Sequence, residues 1–260
     1  MAARETLSLT AADSGLHRHY FPLAAQTESV SILAVDLERS LSSCDGQLIE
    51  GFLRIYRNHL DLLDYGEHDT LTGLLNRKPF AQIFAQRTAP PTRKAARKVQ
   101  FIGDARKPVA GASEWLAIID IDHFKRINDR FGHVFGDEVL LLLARLMKAS
   151  FRSCDTLFRL GGEEFAVLLS GADASGAQTA FEHFRERVAA YAFPQVKGVT
   201  VSVGYGRATR AAGAMAAYEQ ADAALYYAKE HGRNRTCNFE SLIAQGDLKM
   251  KRASGEIEIF

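Results

Sequence analysis

The stretch Arg159–Leu169, RLGGEEFAVLL, decides the fold, because two glycines and two glutamates stand between apolar runs typical of β-strands. Gly161-Gly162 predicts a two-residue hairpin turn, since tight turns of types I′ and II′ need positive φ. The turn places Glu163 and Glu164 at the edge of the sheet. Successive strand residues point to opposite faces, so the two carboxylates do not share one orientation. Two adjacent acids repel each other unless a positive group lies nearby.

Strands and helices alternate around this hairpin. Residues 115–121, WLAIIDI, form a continuous apolar run that ends in acid, as a buried strand does. Further strands are predicted at 157–160, 163–169 and 199–206, and helices at 136–151, 175–191 and 217–232. This pattern predicts an α/β or α+β fold with a central mixed sheet flanked by helices.

Different elements are predicted for the part of the chain that precedes this alternating pattern. Residues 1–17 are polar and small and predict no regular element, whereas His19–Leu23 and Ser29–Leu37 read as short strands. Residues 40–69 read as one helix. From Arg87 to Ala112, two prolines, a basic run and scattered glycines predict a surface loop, or a ragged helix end followed by a loop.

The helix at 40–69 carries two neighbouring apolar stripes. One holds Leu48, Phe52, Ile55 and Leu62, and the other holds Ile49, Leu53, Tyr56, Leu60 and Leu63. A double stripe is wider than one packing partner needs, so one edge is expected to contact a second chain. We assign Leu53 and Leu60 to that edge. The alternative is a single buried helix in a monomer.

Composition excludes several classes of protein. Hydrophobic residues make up 47% and charged residues 24% of 260 residues, which is typical of a soluble globular protein. A net charge of +1 offers no basic surface for nucleic acid. No apolar run is long enough to span a membrane, and the N-terminus shows no secretory signal. Cys44, Cys154 and Cys237 are far apart without CxxC spacing, which favours free thiols in a reducing cytoplasm.

Acidic residues also end the strand at 115–121. Asp120 and Asp122 lie where ligands bind in open α/β sheets. If this strand neighbours the hairpin, Asp120 and Glu163 converge. Oxygen ligands favour Mg²⁺ held together with substrate phosphates. The alternative is that these acids only cap strand ends.

Three motifs in one order carry a resemblance. They are DTLTGLLNR at 69–77, IDIDHFKRINDRFGHVFGDEVL at 119–140 and GGEEF at 161–165. Over roughly residues 69–238 the chain resembles the GGDEF family of diguanylate cyclases. The resemblance implies a palm-like fold, similar to that of nucleotide polymerases and adenylyl cyclases. It also implies condensation of two GTP into cyclic di-GMP with release of two pyrophosphates, by a homodimer in which each domain holds one GTP.

The resemblance assigns catalytic roles by position. Asp120 and Glu163 would ligate Mg²⁺ or Mn²⁺ together with the backbone carbonyl of Ile121, and Glu164 would lie close to a second ion. Glu163 would also serve as the base for the ribose 3′-hydroxyl. Lys125 would neutralise charge that develops on the transferring phosphate.

The resemblance also assigns the GTP contacts. Asn128 and Asp137 would read the guanine edge, and His133 would line the nucleotide pocket. Lys229 and Arg233 would hold the terminal phosphates.

Each of these residues has a structural alternative. Asn128 could form a turn, His133 could be packed, and Asp137 could cap the helix at 136–151. Lys229 and Arg233 could interact with a helix dipole next to a cap at Gly232. Their order in one chain favours the functional assignment.

The sequence RSCD places Arg152 and Asp155 where the family has its RxxD site for inhibition by cyclic di-GMP. Arginine can bind guanine or phosphate with two hydrogen bonds. The alternative is a surface ion pair. The family's secondary inhibitory arginine falls on His183 here, with Arg185 nearby.

These assignments divide the chain into three parts. Residues 1–66 resemble the end of a GAF domain with a dimerising or signalling helix, residues 67–240 are the cyclase domain, and 241–260 are a tail whose GEIEIF alternates like a strand. Two other functions stay open at this point. One is a catalytically weak cyclic di-GMP receptor, and the other is a dimerisation module with a scaffold attached.

Overall fold

The computed structural model describes residues 7–10, 17–23, 31–89 and 113–248. The chain forms two compact units, Met1–Gly66 and Glu67–Phe260. Most of the loop predicted at 87–112 and the strand predicted at 255–260 lie outside the described residues.

The first unit is a three-stranded antiparallel sheet followed by a long helix. The strands β1 (Leu7–Thr10), β2 (His17–Leu23) and β3 (Ser31–Leu37) lie in the order β1-β2-β3. The expectation that residues 1–17 hold no regular element is wrong, because LSLT alternates apolar and polar residues and pairs with β2. The helix α1 (Ser43–Glu67) begins at a reciprocal cap, in which Asp45 N donates to Ser42 Oγ and Ser42 N donates to Asp45 Oδ2.

The two apolar stripes of α1 differ in exposure, although Tyr56 of the second stripe is also 49% exposed. Leu48, Phe52 and Ile55 are exposed by 61%, 65% and 66%, whereas Leu53 is only 4% exposed within a single chain. The assignment of Leu53 to an edge that contacts a partner is therefore wrong, because its own chain already buries it. The side chains of residues 59–65, Leu60 included, lie outside the described part of the chain.

The second unit is a five-stranded mixed sheet flanked by helices, which confirms the predicted fold class. Its strands are β4 (Ser113–Ile121), β5 (Thr156–Gly161), β6 (Glu164–Ala172), β7 (Val201–Ala208) and β8 (Thr236–Asn238), in the order β5-β6-β4-β7-β8. Its helices are α2 (Phe80–Arg87), α3 (Phe124–Phe131), α4 (His133–Ser150), α5 (Ala174–Ala190), α6 (Gly213–Glu230) and α7 (Phe239–Gln245). Of the described strands of this sheet, β7 and β8 pair in parallel and the other neighbours pair antiparallel. The short elements α2, α3, β8 and α7 were not predicted, and α7 runs past the expected boundary at residue 240.

The central strand β4 is buried on both faces. Ala117 and Ile119 belong to the apolar cluster that includes α4 and α5, and Leu116 and Ile118 belong to the cluster that includes α2 and α6. This two-sided burial explains the continuous apolar run of the sequence. It also brings the polar end of β4, at Asp120, to the rim of the sheet.

Cys44, Cys154 and Cys237 are free thiols, as predicted. Within the described ranges, we find no helix that combines the length and the apolar character needed to cross a membrane.

Candidate active site

The hairpin between β5 and β6 turns one residue later than predicted. Gly161 pairs with Glu164, so the turn consists of Gly162 and Glu163. The ladder shifts between Arg159 and Gly161, because an extra residue on β5 bulges out of register. Gly162 takes the positive φ of 51° that the turn requires. Glu163 therefore lies in the turn itself, and Glu164 is the first residue of β6.

The end of β4 lies directly beside this turn. Asp120 pairs with Glu164 across β4 and β6. Asp120 is 7% exposed, and burial raises the pKa of its carboxyl to about 6. Lys229 Nζ, 2.8 Å from Asp120 Oδ2, opposes this rise in pKa, whereas the charges of Glu163 and Glu164 add to it. The Lys229 ammonium group contacts Asp120 and is outnumbered by the charges of Asp120, Glu163 and Glu164, which leaves an excess of negative charge at this end of the sheet.

The chemistry of these oxygen donors fits a hard divalent cation. The residues that the structure describes hold no cluster of three or more His, Cys, Asp or Glu side chains arranged to enclose a metal. A closed cage is not needed for Mg²⁺, which typically takes one or two carboxylates and completes its shell with water and substrate phosphates. Ile121, whose carbonyl is the further candidate ligand, is the last residue of β4 and follows Asp120 directly.

Asp122 lies close in sequence but has a different environment. Its carboxylate accepts hydrogen bonds from Thr200 Oγ1 and Ser202 Oγ, both at 2.6 Å, and from Asn234 N at 3.0 Å. These three donors use both oxygens of the carboxylate. The two acids predicted at the end of β4 therefore differ in role. Asp120 is a candidate cation ligand, whereas Asp122 forms hydrogen bonds within the fold.

The residues assigned to guanine lie on α3 and α4. Asn128 is in α3, so it does not form a turn, and its Oδ1 is buried without a hydrogen-bond partner among the described residues. A Cβ on Gly136 would lie 1.9 Å from this oxygen, so only glycine allows the amide to lie there. The helix α4 begins at His133, four residues before Asp137, and the alternative that Asp137 caps it is wrong. His133 and Asp137 are both exposed.

The residues assigned to phosphate lie at two helix ends. Lys125 is exposed in the first turn of α3. Lys229 is in the last turn of α6, and its ammonium group contacts Asp120. The alternative of an interaction with the helix dipole alone therefore does not describe Lys229. Arg233 follows α6 in a left-handed conformation with φ of 60°.

The sequence of this unit matches one known family. Residues 66–235 match the profile of the family described as diguanylate cyclase, GGDEF domain. This chain belongs to the GGDEF family. Its second unit is a GGDEF domain with the sequence GGEEF at 161–165.

Individual relatives agree with this assignment. Diguanylate cyclase DgcP of Pseudomonas aeruginosa is 37% identical over 171 residues, which cover 64% of this chain and 23% of that protein. Diguanylate cyclase DgcS of Shewanella oneidensis is 30% identical over 213 residues, which cover 82% of this chain and 66% of that protein. The chain thus spans from 23% to 66% of the length of these curated relatives.

Solved structures share the fold of the GGDEF domain. The coiled coil and GGDEF domain of DgcB from Caulobacter crescentus, in complex with c-di-GMP, gives a TM-score of 0.59 at 28% identity. That match covers 76% of this chain and 100% of the DgcB chain. SiaD from Pseudomonas aeruginosa, in complex with its activator SiaC, gives 0.57 at 30% identity and covers 74% of this chain and 70% of that one. The mixed sheet described above is therefore the palm-like GGDEF fold.

An arginine clamp, which the sequence analysis missed, holds the GGEEF turn of this domain. Arg159 donates from Nε and a terminal nitrogen to Gly162 O, at 3.1 and 2.8 Å. Its other terminal nitrogen contacts both carboxylate oxygens of Asp69, at 2.9 and 3.1 Å. Asp69 in turn accepts from the backbone and hydroxyl of Thr72. The motif DTLTGLLNR is therefore tied to the active hairpin, and the pattern Asp-x-x-Thr, typical of an Asx turn, was the available signal.

The two residues of the RxxD motif differ in this GGDEF domain. Asp155 is buried, and its carboxylate accepts from Arg152 N at 2.9 Å and from Ser170 N at 3.0 Å. Its role in the fold is to close the turn. Arg152 is exposed, and among the described residues no ion pair joins its guanidinium to Asp155. The alternative of a surface ion pair is not what the structure shows.

The helix α5 passes the same region. His183 is exposed and lines a cavity of about 390 Å³ together with Ser150 and Arg187. Arg187 donates to Ala149 O at 3.0 Å. Arg185 has different partners, since it contacts Glu182 Oε1 at 2.6 Å and Asn234 Oδ1 at 2.7 Å.

Proposed function

We propose that this chain is a diguanylate cyclase that condenses two GTP into cyclic di-GMP and two pyrophosphates. The observation that carries the proposal is the meeting of Asp120, Glu163, Glu164 and Lys229 at the end of the central strand of a GGDEF domain. In each step a ribose 3′-oxygen attacks the α-phosphorus of the other GTP, the P–O bond to pyrophosphate breaks, and the hydroxyl proton leaves.

We assign the cation site to Asp120, Glu163 and the carbonyl of Ile121, with Glu164 close to a second ion. Bound Mg²⁺ or Mn²⁺ supplies charge neutralisation at the reacting phosphate. The excess negative charge around Asp120 supports this assignment. Glu163, half-buried in the turn beside the site, takes the proton of the 3′-hydroxyl.

Side chains around the cation site bind the nucleotide. We assign Lys125, Lys229 and Arg233 to the phosphates, and the contact of Lys229 with Asp120 supports a position for Lys229 beside the cation site. Asn128 and Asp137 recognise guanine, an assignment supported by the unpaired, buried Oδ1 of Asn128. His133, at the start of α4, lines the nucleotide pocket.

We propose that residues 1–66 form the dimerising and signalling segment, as the resemblance to the end of a GAF domain implies. The cyclase domain then extends to Gln245, where α7 ends, rather than to residue 240. The exposed stripe of α1 supports a homodimer, which two half-sites with one GTP each require. Free thiols and the use of GTP favour a cytoplasmic protein.

The test is incubation of the full chain with GTP and Mg²⁺, followed by chromatographic detection of cyclic di-GMP and pyrophosphate. We expect product with Mg²⁺ or Mn²⁺ and none with excess chelator. A folded chain that binds cyclic di-GMP but forms no product at any protein concentration would contradict the cyclase. It would favour a receptor, the second candidate function, which the exposed Arg152 supports.

We further propose that cyclic di-GMP inhibits the enzyme through Arg152 and Asp155. Replacing Arg152 by Ala removes an exposed guanidinium but leaves the Asp155 turn, which uses only the backbone of residue 152. We expect initial rates within about twofold of wild type and a loss of inhibition of at least about tenfold, because an arginine contact to guanine or phosphate is charge-assisted. Progress curves with added cyclic di-GMP measure it.

The matched control is Arg210→Ala, which removes an exposed arginine from a turn elsewhere on the domain. Inhibition of this control should equal that of wild type. If the wild-type enzyme is not inhibited by its product, the RxxD assignment is wrong.

A further inference from the structure

Asp122 connects three separate segments at the end of β4. It is 6% exposed, and Oδ1 accepts from Ser202 Oγ while Oδ2 accepts from Thr200 Oγ1 and Asn234 N. Its own backbone N–H donates to Thr200 O at 2.9 Å. A buried carboxylate with three donors is fully satisfied, so it is positioned to hold the backbone at Asn234.

The segment that Asp122 holds has an unusual backbone. Arg233 and Asn234 take positive φ values of 60° and 43°. Two consecutive non-glycine residues in this region are unfavourable for L-amino acids and persist only where contacts fix them. The contacts here are Asp122 on the backbone of Asn234 and Arg185 on its side chain, at 2.7 Å. Arg185 is itself fixed by Glu182 at 2.6 Å.

The same segment is tied to β4 at a second point. Lys229, five residues before Asn234, contacts Asp120 at 2.8 Å. The end of α6 is thus attached to the end of β4 through Asp120 and again through Asp122, and Arg233 lies between the two attachments. The sequence pattern, in which two aspartates are spaced by one residue and basic residues follow α6, does not reveal these two attachments.

We propose that Asp122 and Arg185 are positioning residues that fix the turn at 233–234, so that Arg233 presents its guanidinium to the terminal phosphates of GTP. Asp122 acts through Arg233 and is not a metal ligand, because its oxygens already accept three hydrogen bonds. The inference rests on the proposed function, since it requires that the site binds GTP.

The test measures the dissociation constant of a non-reacting GTP analogue with a methylene group between its α and β phosphorus atoms, at saturating Mg²⁺. In Asp122→Ala we expect binding weaker by about 10- to 100-fold, the value of a charge-assisted contact. In Asp122→Asn we expect binding within about threefold of wild type. The amide oxygen, in the place of Oδ2, still accepts from Asn234 N and Thr200 Oγ1, and the amide nitrogen donates to the Ser202 hydroxyl, which can rotate. The Mg²⁺ concentration for half-maximal binding should not change in either variant.

Arg185→Gln provides a second test at a less buried position, because this side chain is 14% exposed. We expect unchanged thermal stability and binding weaker by about tenfold. The matched control is Arg187→Gln on the same helix, whose partners are Ala149 O and Ser150 Oγ. Its affinity for the analogue should stay within about twofold of wild type.

Wild-type affinity in Asp122→Ala, or in Arg185→Gln if the first variant unfolds, overturns the inference. So does an Asp122→Asn variant that binds as weakly as Asp122→Ala and needs more Mg²⁺, since that is the behaviour of a metal ligand. A wild-type chain that neither binds the analogue nor converts GTP overturns the proposed function itself. The inference is supported if wild type binds the analogue, Asp122→Ala binds it more weakly, and Asp122→Asn restores the affinity.

Discussion

Replacing Glu163 by Gln, or Asp120 by Asn, is expected to lower the rate of cyclic di-GMP formation by about 10²- to 10⁴-fold or more, because the first change removes the proposed base and the second removes a proposed cation ligand. Both changes keep the size of the side chain and remove its charge. Asp120 lies at the end of β4 and Glu163 in the adjacent turn, so neither is part of the apolar core. Product formation at saturating GTP and Mg²⁺ measures the effect.

Both variants are expected to stay folded. Burial raises the pKa of Asp120 to about 6 from an ordinary 3.8, so the folded chain favours the protonated acid more than the unfolded chain does. As the pH rises from about 4 to about 6, ionisation of Asp120 therefore lowers the stability of the folded chain. This loss is complete above about pH 6. An amide has no such titration, so Asp120→Asn should not lower the melting temperature at pH 7.5.

The same pKa gives a direction for the pH dependence of activity. Asp120 must be ionised to hold a cation, so the rate should fall as the pH drops below about 6.

The matched control for the two substitutions is Glu219→Gln, which removes an exposed carboxylate from α6 and should keep wild-type activity. Retained activity in folded Asp120→Asn or Glu163→Gln would contradict the metal and base assignments.

The sequence predicted the parts of this site that depend on local patterns. The apolar run at 115–121 and the strand after GGEEF identified β4 and β6, and their adjacency brings Asp120 to the hairpin. The turn itself was predicted one residue too early, because a bulge between Arg159 and Gly161 changes the register. Hydrophobic alternation does not reveal a bulge, which depends on how backbone hydrogen bonds pair.

Long-range polar contacts were not predictable from patterns. Arg159 and Asp69 are 90 residues apart, and Asn234 is 112 residues from Asp122. Such pairs leave no periodic signal in the sequence. Only the folded chain shows that the first pair supports the GGEEF turn and that the second pair fixes the turn at 233–234.

The buried side of α1 was not predictable from the sequence either. Two neighbouring stripes were visible, but the side on which the chain packs depends on tertiary structure.

The exposed stripe of α1 predicts the second large effect. Phe52 and Ile55 are 65% and 66% exposed in one chain, a large apolar surface for a helix of a monomer. In a symmetric dimer both copies lose these side chains, each of which contributes about 1.5–3 kcal/mol when fully buried. Phe52→Gln with Ile55→Gln should therefore raise the dimer dissociation constant by at least about 10³-fold. Light scattering and sedimentation measure it.

Activity should follow the population of dimers, because each domain holds one GTP and the product needs two. The double variant should bind the GTP analogue normally, form little cyclic di-GMP at nanomolar protein, and recover specific activity as its concentration rises. Arg54→Gln, an exposed change on the same helix, should stay dimeric and active. Leu53→Gln should instead lower the melting temperature, since Leu53 is 4% exposed within one chain. A double variant that is monomeric yet fully active at nanomolar concentration shows that the helix does not assemble the active enzyme.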